Sequence, residues 1–304
     1  MPASVEVIIN ASAGADDKED VRQLITEAFA SCGRDVRVSL AESGERVIEL
    51  ARGALEHDGR VIVAGGGDGT VSAVASLLAG TDATLGVLPL GTLNHFAKDM
   101  GIPLELNDAA RNVCEGRCAR VDVGEVNGRV FINNSGIGLY PQIVRRREKL
   151  QQRMGSGKWA AFFRAAFSVL RRYPFLNVRL SADGQEIMRR TPFVFVGNNE
   201  YQMESLSIGG RARLDSGLLS LYVTHRKGRL GLLWLAVRAL FGRLKEAKDF
   251  DALSAEEIRV ETRRPKRLPV ATDGEVTILS TPLLYRVRPG ALRVMVPDTV
   301  TGDE

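Results

Sequence analysis

Through the first third of the chain, short apolar runs alternate with segments whose apolar positions recur every three to four residues. Residues 5–9 form such a run, and Val21, Leu24, Ile25 and Phe29 after it share one helical face. Residues 36–40 read as a second strand, and Val47, Ile48, Leu50, Ala51 and Leu55 line a second helix. Residues 61–64 and 85–88 have the apolar character of strands buried on both faces. Helices over 71–78 and 94–100 follow them. Strand and helix in alternation predict an α/β domain: a parallel sheet covered by helices on both faces.

The pattern changes near Val121. From there β-rich runs lie close together, at 121–126, 130–133, 176–181, 193–196, 218–223, 258–261, 270–272, 276–279 and 292–296. Such spacing predicts an antiparallel β-sandwich or barrel. Helical segments near 143–172 and 230–244 interrupt it. The predicted division is an α/β domain over 1–122 and a sandwich over 123–284, with residues 285–304 packing back on the first domain.

Composition narrows the class. The 304 residues are 44% hydrophobic and 26% charged, a globular balance with room for two domains. Three cysteines are too few for a disulfide framework, which suits a reducing, cytoplasmic compartment. The most apolar stretch, 230–241, is far short of the roughly 20 residues that span a bilayer, and it contains Arg238. The net charge of +4 is uneven: residues 1–122 hold 11 Lys and Arg against 19 Asp and Glu, and residues 123–304 hold 30 against 18. The second part therefore suits an anionic partner.

Gly65-Gly66-Gly67-Asp68-Gly69-Thr70 falls between a buried strand and a helix. Glycines there let main-chain N–H groups close around a phosphate at the positive end of the helix. Asp68 is out of place in a bare phosphate cradle, and is accounted for if it helps hold Mg²⁺. Asp-Gly also occurs in plain turns, but four glycines in five positions are costly in chain entropy. Pro89-Leu90-Gly91-Thr92-Leu93-Asn94-His95 follows the next strand, where Thr92 can donate to a phosphate oxygen. Asn94 can do the same or cap the following helix. Walker A, protein-kinase catalytic-loop and Asp-Phe-Gly motifs are absent.

Asn10-Ala-Ser-Ala-Gly14, the Gly66–Thr70 loop, Pro89-Leu-Gly-Thr-Leu-Asn94 and Asp273-Gly274-Glu275, in that order, resemble the diacylglycerol kinase catalytic-domain family. That family includes bacterial lipid kinases and the sphingosine and ceramide kinases, and it shares a nucleotide fold with NAD kinases. The resemblance spans about residues 5–296. It implies ATP in a cleft between an α/β domain and a β-sandwich, contacted by Asn10, Gly14, the glycine loop and Thr92. It also implies an acidic Mg²⁺ network of Asp68, Asp122 and Asp273, with Glu275 as the base for the acceptor hydroxyl. On a strand-edge loop Asp273 and Glu275 would point the same way, so one can serve the metal and the other the proton. An exposed hairpin turn around Gly274 is the alternative. The stretch 212–218 resembles the family's structural Mg²⁺ loop, which would use Asp215 and the carbonyls of Ala212 and Gly217; an Asp-Ser-Gly turn fits the same residues.

Two positions depart from the family. His95 stands where an Asp is usual, which removes one carboxylate from the network. Leu40 stands where a hydroxyl residue is often found, with Ser39 on the opposite side of the strand. Farther on, Arg145, Arg146, Arg147, Lys149, Arg153, Lys158 and Arg164 flank Trp159, Phe162, Phe163 and Phe167; Trp234 and Phe241 lie beside Arg238, Arg243 and Lys245. Basic helices with bulky apolar faces suit the plane of an anionic membrane. No nucleic-acid module is recognisable. The expectation is therefore a cytoplasmic, peripherally membrane-associated kinase of phospholipid metabolism that uses ATP and Mg²⁺ on a membrane-lipid hydroxyl, diacylglycerol first among them. A kinase of a soluble acceptor and a non-catalytic binding protein disabled by His95 remain open. Oligomeric state leaves no signature, and a homodimer is compatible with the sequence.

Overall fold

The structure, a computed structural model, describes residues 5–11, 18–56, 60–141, 175–201, 211, 213–224 and 250–298. The chain divides into two compact units. The first takes in the chain up to Val123 with Arg213–Asp215 and the part from Arg288; the second holds the remainder.

In the first unit the elements run β1 (Val5–Asn10), α1 (Lys18–Ser31), β2 (Val36–Ala41), α2 (Gly44–Glu56), β3 (Val61–Gly66), α3 (Asp68–Leu78), β4 (Thr84–Pro89), α4 (His95–Asp99), α5 (Leu106–Glu115) and β5 (Arg117–Val126), whose last three residues belong to the second unit. The strands lie in the order β2-β1-β3-β4, all parallel. Alternation along β1 sends Val5, Val7 and Ile9 to one face, where they meet Ile25 and Phe29 of α1 and Ala109, Ala110 and Val113 of α5. Helices α2 and α3 pack together, and α3 buries Val71, Val74, Ala75 and Leu78. The predicted α/β domain is thus present. Two details differ. Leu24 is 48% exposed, so the buried stripe of α1 turns to Ile25 and Phe29. Helix α5 escapes the pattern because its buried side chains are Ala109, Ala110, Asn112 and Val113, mostly small or polar, which carry little periodic signal.

The second unit continues with β6 (Arg129–Phe131), β7 (Asn134–Gly138), β8 (Leu176–Ala182), β9 (Gln185–Thr191), β10 (Phe193–Asn198), β11 (Leu219–Thr224), β12 (Phe250–Ala255), β13 (Glu257–Thr262), β14 (Arg267–Thr272), β15 (Glu275–Ser280) and β16 (Leu283–Val296). One sheet has the order β12-β11-β10-β7-β14-β15, antiparallel throughout. Opposite it, the start of β16 pairs with β13, and β13 and β9 flank β8. Ile137, Val194, Val196, Leu219, Leu221 and Val270 from one sheet enclose a core with Val178, Leu180, Ile258, Val260, Leu283 and Tyr285 from the other. This is the predicted antiparallel β-sandwich. The ring of Phe131 fills the place where a Cβ on Gly124 would lie.

The end of β16 corrects one expectation. Residues 292–296 read as antiparallel, yet Arg293 and Val294 pair in parallel with Thr84 and Leu85 of β4 within the first unit. Period and composition do not distinguish the two directions in a buried strand. The helical segments expected near 143–172 and 230–244, with their basic and aromatic residues, lie outside the described residues. Among the described residues no helix is long and apolar enough to cross a membrane.

Candidate active site

Buried strand β3 ends in Gly65 and Gly66 and turns through Gly67 into α3. The N–H groups of Thr70 and Val71 both reach the Gly67 carbonyl, at 2.9 and 3.1 Å. Those of Asp68 and Gly69 precede them at the positive end of the helix, where the helix itself offers no acceptor. A side chain on Gly66 is excluded because its Cβ would stand 2.6 Å from Thr70 Oγ1. That hydroxyl accepts a 3.0 Å hydrogen bond from Asn10 Nδ2, tying the end of β1 to the first turn of α3.

The second motif lies alongside the first. Leu90 N–H donates to the Gly66 carbonyl at 3.1 Å. Gly91 lies so close to the first loop that a Cβ on it would come within 2.5 Å of Gly67 Cα. Phe96 N–H donates to Asp68 Oδ1 at 3.3 Å, a third link between the loops. Thr92 and His95 are exposed.

Asn94 departs from its expected role. It sits in the left-handed region at φ 49° and makes no side-chain cap. Its Nδ2 donates to the carbonyls of Pro89 (3.1 Å) and Gly91 (2.8 Å), and its Oδ1 accepts from Gly91 N–H (3.1 Å). Both amide protons are thereby used inside the loop, so Asn94 shapes the turn and has none to give a phosphate. Leu40 faces the core of the first unit with Val36 and Val38.

The other residues named from the sequence are more scattered. Gly14 and Ala212 lie outside the described residues. Asp122 is buried, 3% exposed, and its Oδ1 accepts from Gly290 N–H at 2.8 Å. Asp215 is held by Arg213, Nε to Oδ1 at 3.1 Å, and this pairing raises the arginine's pKa. Both side chains of this pair are exposed, and Gly217 stands in a bend at φ 69°. Asp273 and Gly274, at φ 47° and 92°, form the two-residue turn between β14 and β15. Asp273 is therefore a turn residue, not one of a pair alternating along a strand. Its carboxylate accepts three main-chain N–H groups: Ile132 on Oδ2 at 2.7 Å, and Asn133 and Asn134 on Oδ1 at 2.9 Å each. Glu275 opens β15 with its side chain 68% exposed, 3.8 Å from Arg129. Among the described residues no group of three His, Cys, Asp or Glu side chains stands close enough to hold a metal.

Sequence reasoning passed over Asn133, Asn198 and Arg211. Arg211 is 5% exposed; Nη1 donates to the carbonyls of Ile132 (2.6 Å) and Asn198 (3.2 Å), and Nη2 to Asn133 Oδ1 (2.8 Å). Paired asparagines in a β-rich stretch, Asn133-Asn134 and Asn198-Asn199, were the available signal, since they are poor strand formers.

Comparison with known proteins agrees with this layout. The diacylglycerol kinase catalytic domain model matches residues 4–126, and the YegS C-terminal NAD kinase beta sandwich-like domain model matches residues 138–296. A probable lipid kinase YegS-like protein of Pseudomonas fluorescens is 30% identical, over 92% of this chain and 91% of that protein. A diacylglycerol kinase of Bacillus subtilis is 26% identical over 88% of each chain. A solved structure of a putative diacylglycerol kinase from Bacillus anthracis superposes with a TM-score of 0.75 over 97% of both chains at 23% identity, a likeness of fold. With a parallel α/β unit carrying two interlocked glycine loops and a sandwich unit behind it in sequence, the chain belongs to the diacylglycerol kinase catalytic-domain family of lipid kinases.

Proposed function

We propose that the protein transfers the γ-phosphoryl group of ATP to a hydroxyl of a membrane lipid, diacylglycerol or a close relative. The observation that carries this reading is the interlocking of the two glycine loops at the carboxyl ends of adjacent parallel strands, β3 and β4. Main chain is brought there without side chains, beside the N-terminus of α3, which suits a polyphosphate. Thr92, exposed on the second loop, is positioned to donate to it. Asn10 acts through Thr70, fixing the first turn of α3.

The acidic residues bear on Mg²⁺ unequally. Asp68, partly exposed at the lip of the glycine loop, repels a bare phosphate and fits a cation shared with it. Asp122 is buried and Asp273 gives its carboxylate to three N–H groups, whereas Asp68, partly exposed, accepts Phe96 N–H on Oδ1, so Asp68 is the residue assigned to the ion. Bound there, Mg²⁺ would neutralise phosphate charge. Glu275, the exposed carboxylate of the Asp-Gly-Glu motif, is assigned the acceptor proton. The relatives named as lipid kinase and diacylglycerol kinase support a lipid acceptor. The excess of Lys and Arg after residue 122 supports work at an anionic membrane face.

The test is transfer of labelled γ-phosphate from ATP with Mg²⁺ into diacylglycerol, sphingoid base, ceramide and phosphatidylglycerol in mixed micelles, with NAD in parallel. We expect one labelled lipid, and a loss of about 10²–10⁴-fold in Glu275→Ala. Label in NAD alone, or ATP bound with no acceptor labelled, overturns the lipid-kinase reading.

A further inference from the structure

The turn that carries Glu275 is anchored at one place, the segment Ile132–Asn134, and every main-chain polar group of that segment has a partner. Its three N–H groups go to the Asp273 carboxylate. The Ile132 carbonyl accepts from Arg211 Nη1 and from Asn198 Nδ2 (3.0 Å). The Asn133 carbonyl accepts from Asn198 N–H and Tyr201 Oη, both at 2.9 Å, and the Asn134 carbonyl from Asp273 N–H at 2.9 Å. The Arg211 guanidinium also lies 5.6 Å from the centre of the Tyr201 ring.

One peptide group is central. The bond between Ile132 and Asn133 presents its C=O to Arg211 and its N–H to Asp273. A buried cation and a carboxylate thus face each other across a single peptide plane, each polarising it in the sense that strengthens the other's hydrogen bond. Three of the roughly four lone-pair positions on the Asp273 carboxylate are spent on this segment.

We infer that Asp273 and Arg211 are positioning residues: through the Ile132–Asn133 peptide they fix the β14–β15 turn and hence the place of Glu275. Asp273 is on this account neither a metal ligand nor a catalytic residue. The link to Glu275 rests on the proposed function; the anchoring does not.

Three single variants, Asp273→Asn, Arg211→Lys and Glu275→Ala, and the double variant of the first and last test it, each first shown by thermal melting to be folded. Asparagine keeps the two hydrogen bonds on Oδ1 and sets an N–H₂ against Ile132 N–H. Hydrogen exchange of peptides covering 132–134, affinity for Mn²⁺·ATP and steady-state kinetics are then measured. In Asp273→Asn the 132–134 amides should exchange about tenfold or more faster, the loss of one charge-assisted hydrogen bond. Arg211→Lys should accelerate the same amides, although lysine touches none of them. Mn²⁺·ATP affinity should stay within about twofold of wild type, and kcat should fall with KM for ATP unchanged. Asp273→Asn should add nothing to Glu275→Ala in the double variant.

A loss of Mn²⁺·ATP affinity beyond about tenfold in Asp273→Asn, with exchange at 132–134 unchanged, would make Asp273 a metal ligand and end the proposal. So would full activity in either positioning variant despite fast exchange, given an inactive Glu275→Ala. If Glu275→Ala is itself fully active, the base assignment falls. The exchange and Mn²⁺ measurements then still decide whether Asp273 anchors the segment or binds the ion.

Discussion

Between Gly67 and Gly91 the main chain is packed against main chain, whereas around Ile132–Asn134 it is packed against buried polar side chains. The first arrangement is made by deleting side chains, so that two loops touch beside the N–H groups of Asp68 and Gly69 at the start of α3. The second is made by adding Asp273, Arg211, Asn198 and Tyr201, so that no N–H or carbonyl of the segment is left over. On the proposed function, one region is built to accept a ligand and the other to hold still. They should therefore respond differently to substitution.

The sharpest break is predicted at Gly91. Alanine there puts a methyl against Gly67 Cα, a main-chain atom that no rotamer change can move, and overpacking of this kind costs about 1–3 kcal/mol. ATP binding, read by isothermal titration, should fall by at least about tenfold. Exchange at 132–134 should stay at the wild-type rate. A Gly91→Ala protein with normal ATP affinity would break the comparison at its first term.

A second prediction concerns the sandwich. Tyr285 is fully buried, and burial raises its pKa to about 12, eased in part by a 3.3 Å hydrogen bond with Ser135. The folded state therefore keeps this proton at pH values where the unfolded chain, titrating near 10, has lost it. Its contribution is complete below about pH 10 and lost as pH rises towards about 12, up to roughly 3 kcal/mol in all. Urea midpoints at pH 9, 10 and 11 should fall more steeply for wild type than for Tyr285→Phe. Equal slopes would remove the buried phenol as a source of alkaline instability.

The smallest effect is at the thiols of the first unit. Burial, with a hydrogen bond to Cys32, lifts Cys114 to about 12, while Cys118 is exposed. In the native protein at pH 8, Cys114 should react with a disulfide reagent on the order of a hundredfold or more slowly than Cys118. Comparable rates would show that α1 and α5 open far more readily than their packing suggests.

How far the sequence disclosed all this follows from the same contrast. The parallel sheet was legible because Val5, Val7 and Ile9, or Val71, Val74 and Leu78, repeat at the period of their element. The glycine loops were legible because main-chain contact demands one residue type at successive positions. Helix α5 and strand β7 were not, since Ala109, Ala110, Asn134 and Ser135 are small or polar and carry no period. Asn94 and Asp273 were found as positions but not as roles: Asn94 spends its amide on groups three and five residues back, which only the shape of the turn brings into reach, and Asp273 spends its carboxylate on partners up to 141 residues away. Arg211 left no local trace at all, because the carbonyls it serves belong to Ile132 and Asn198.

The glycines also differ in what evolution can do with them. Gly124 is confined by the ring of Phe131, a side chain, so a smaller residue at 131 would reopen position 124 to drift. Gly91 is confined by Gly67 Cα, which every amino acid possesses, so no second substitution at 67 can relieve it. The first pair can wander through sequence space together. The second is a dead end for compensation, and any lineage that loses Gly91 must rebuild the loop to escape.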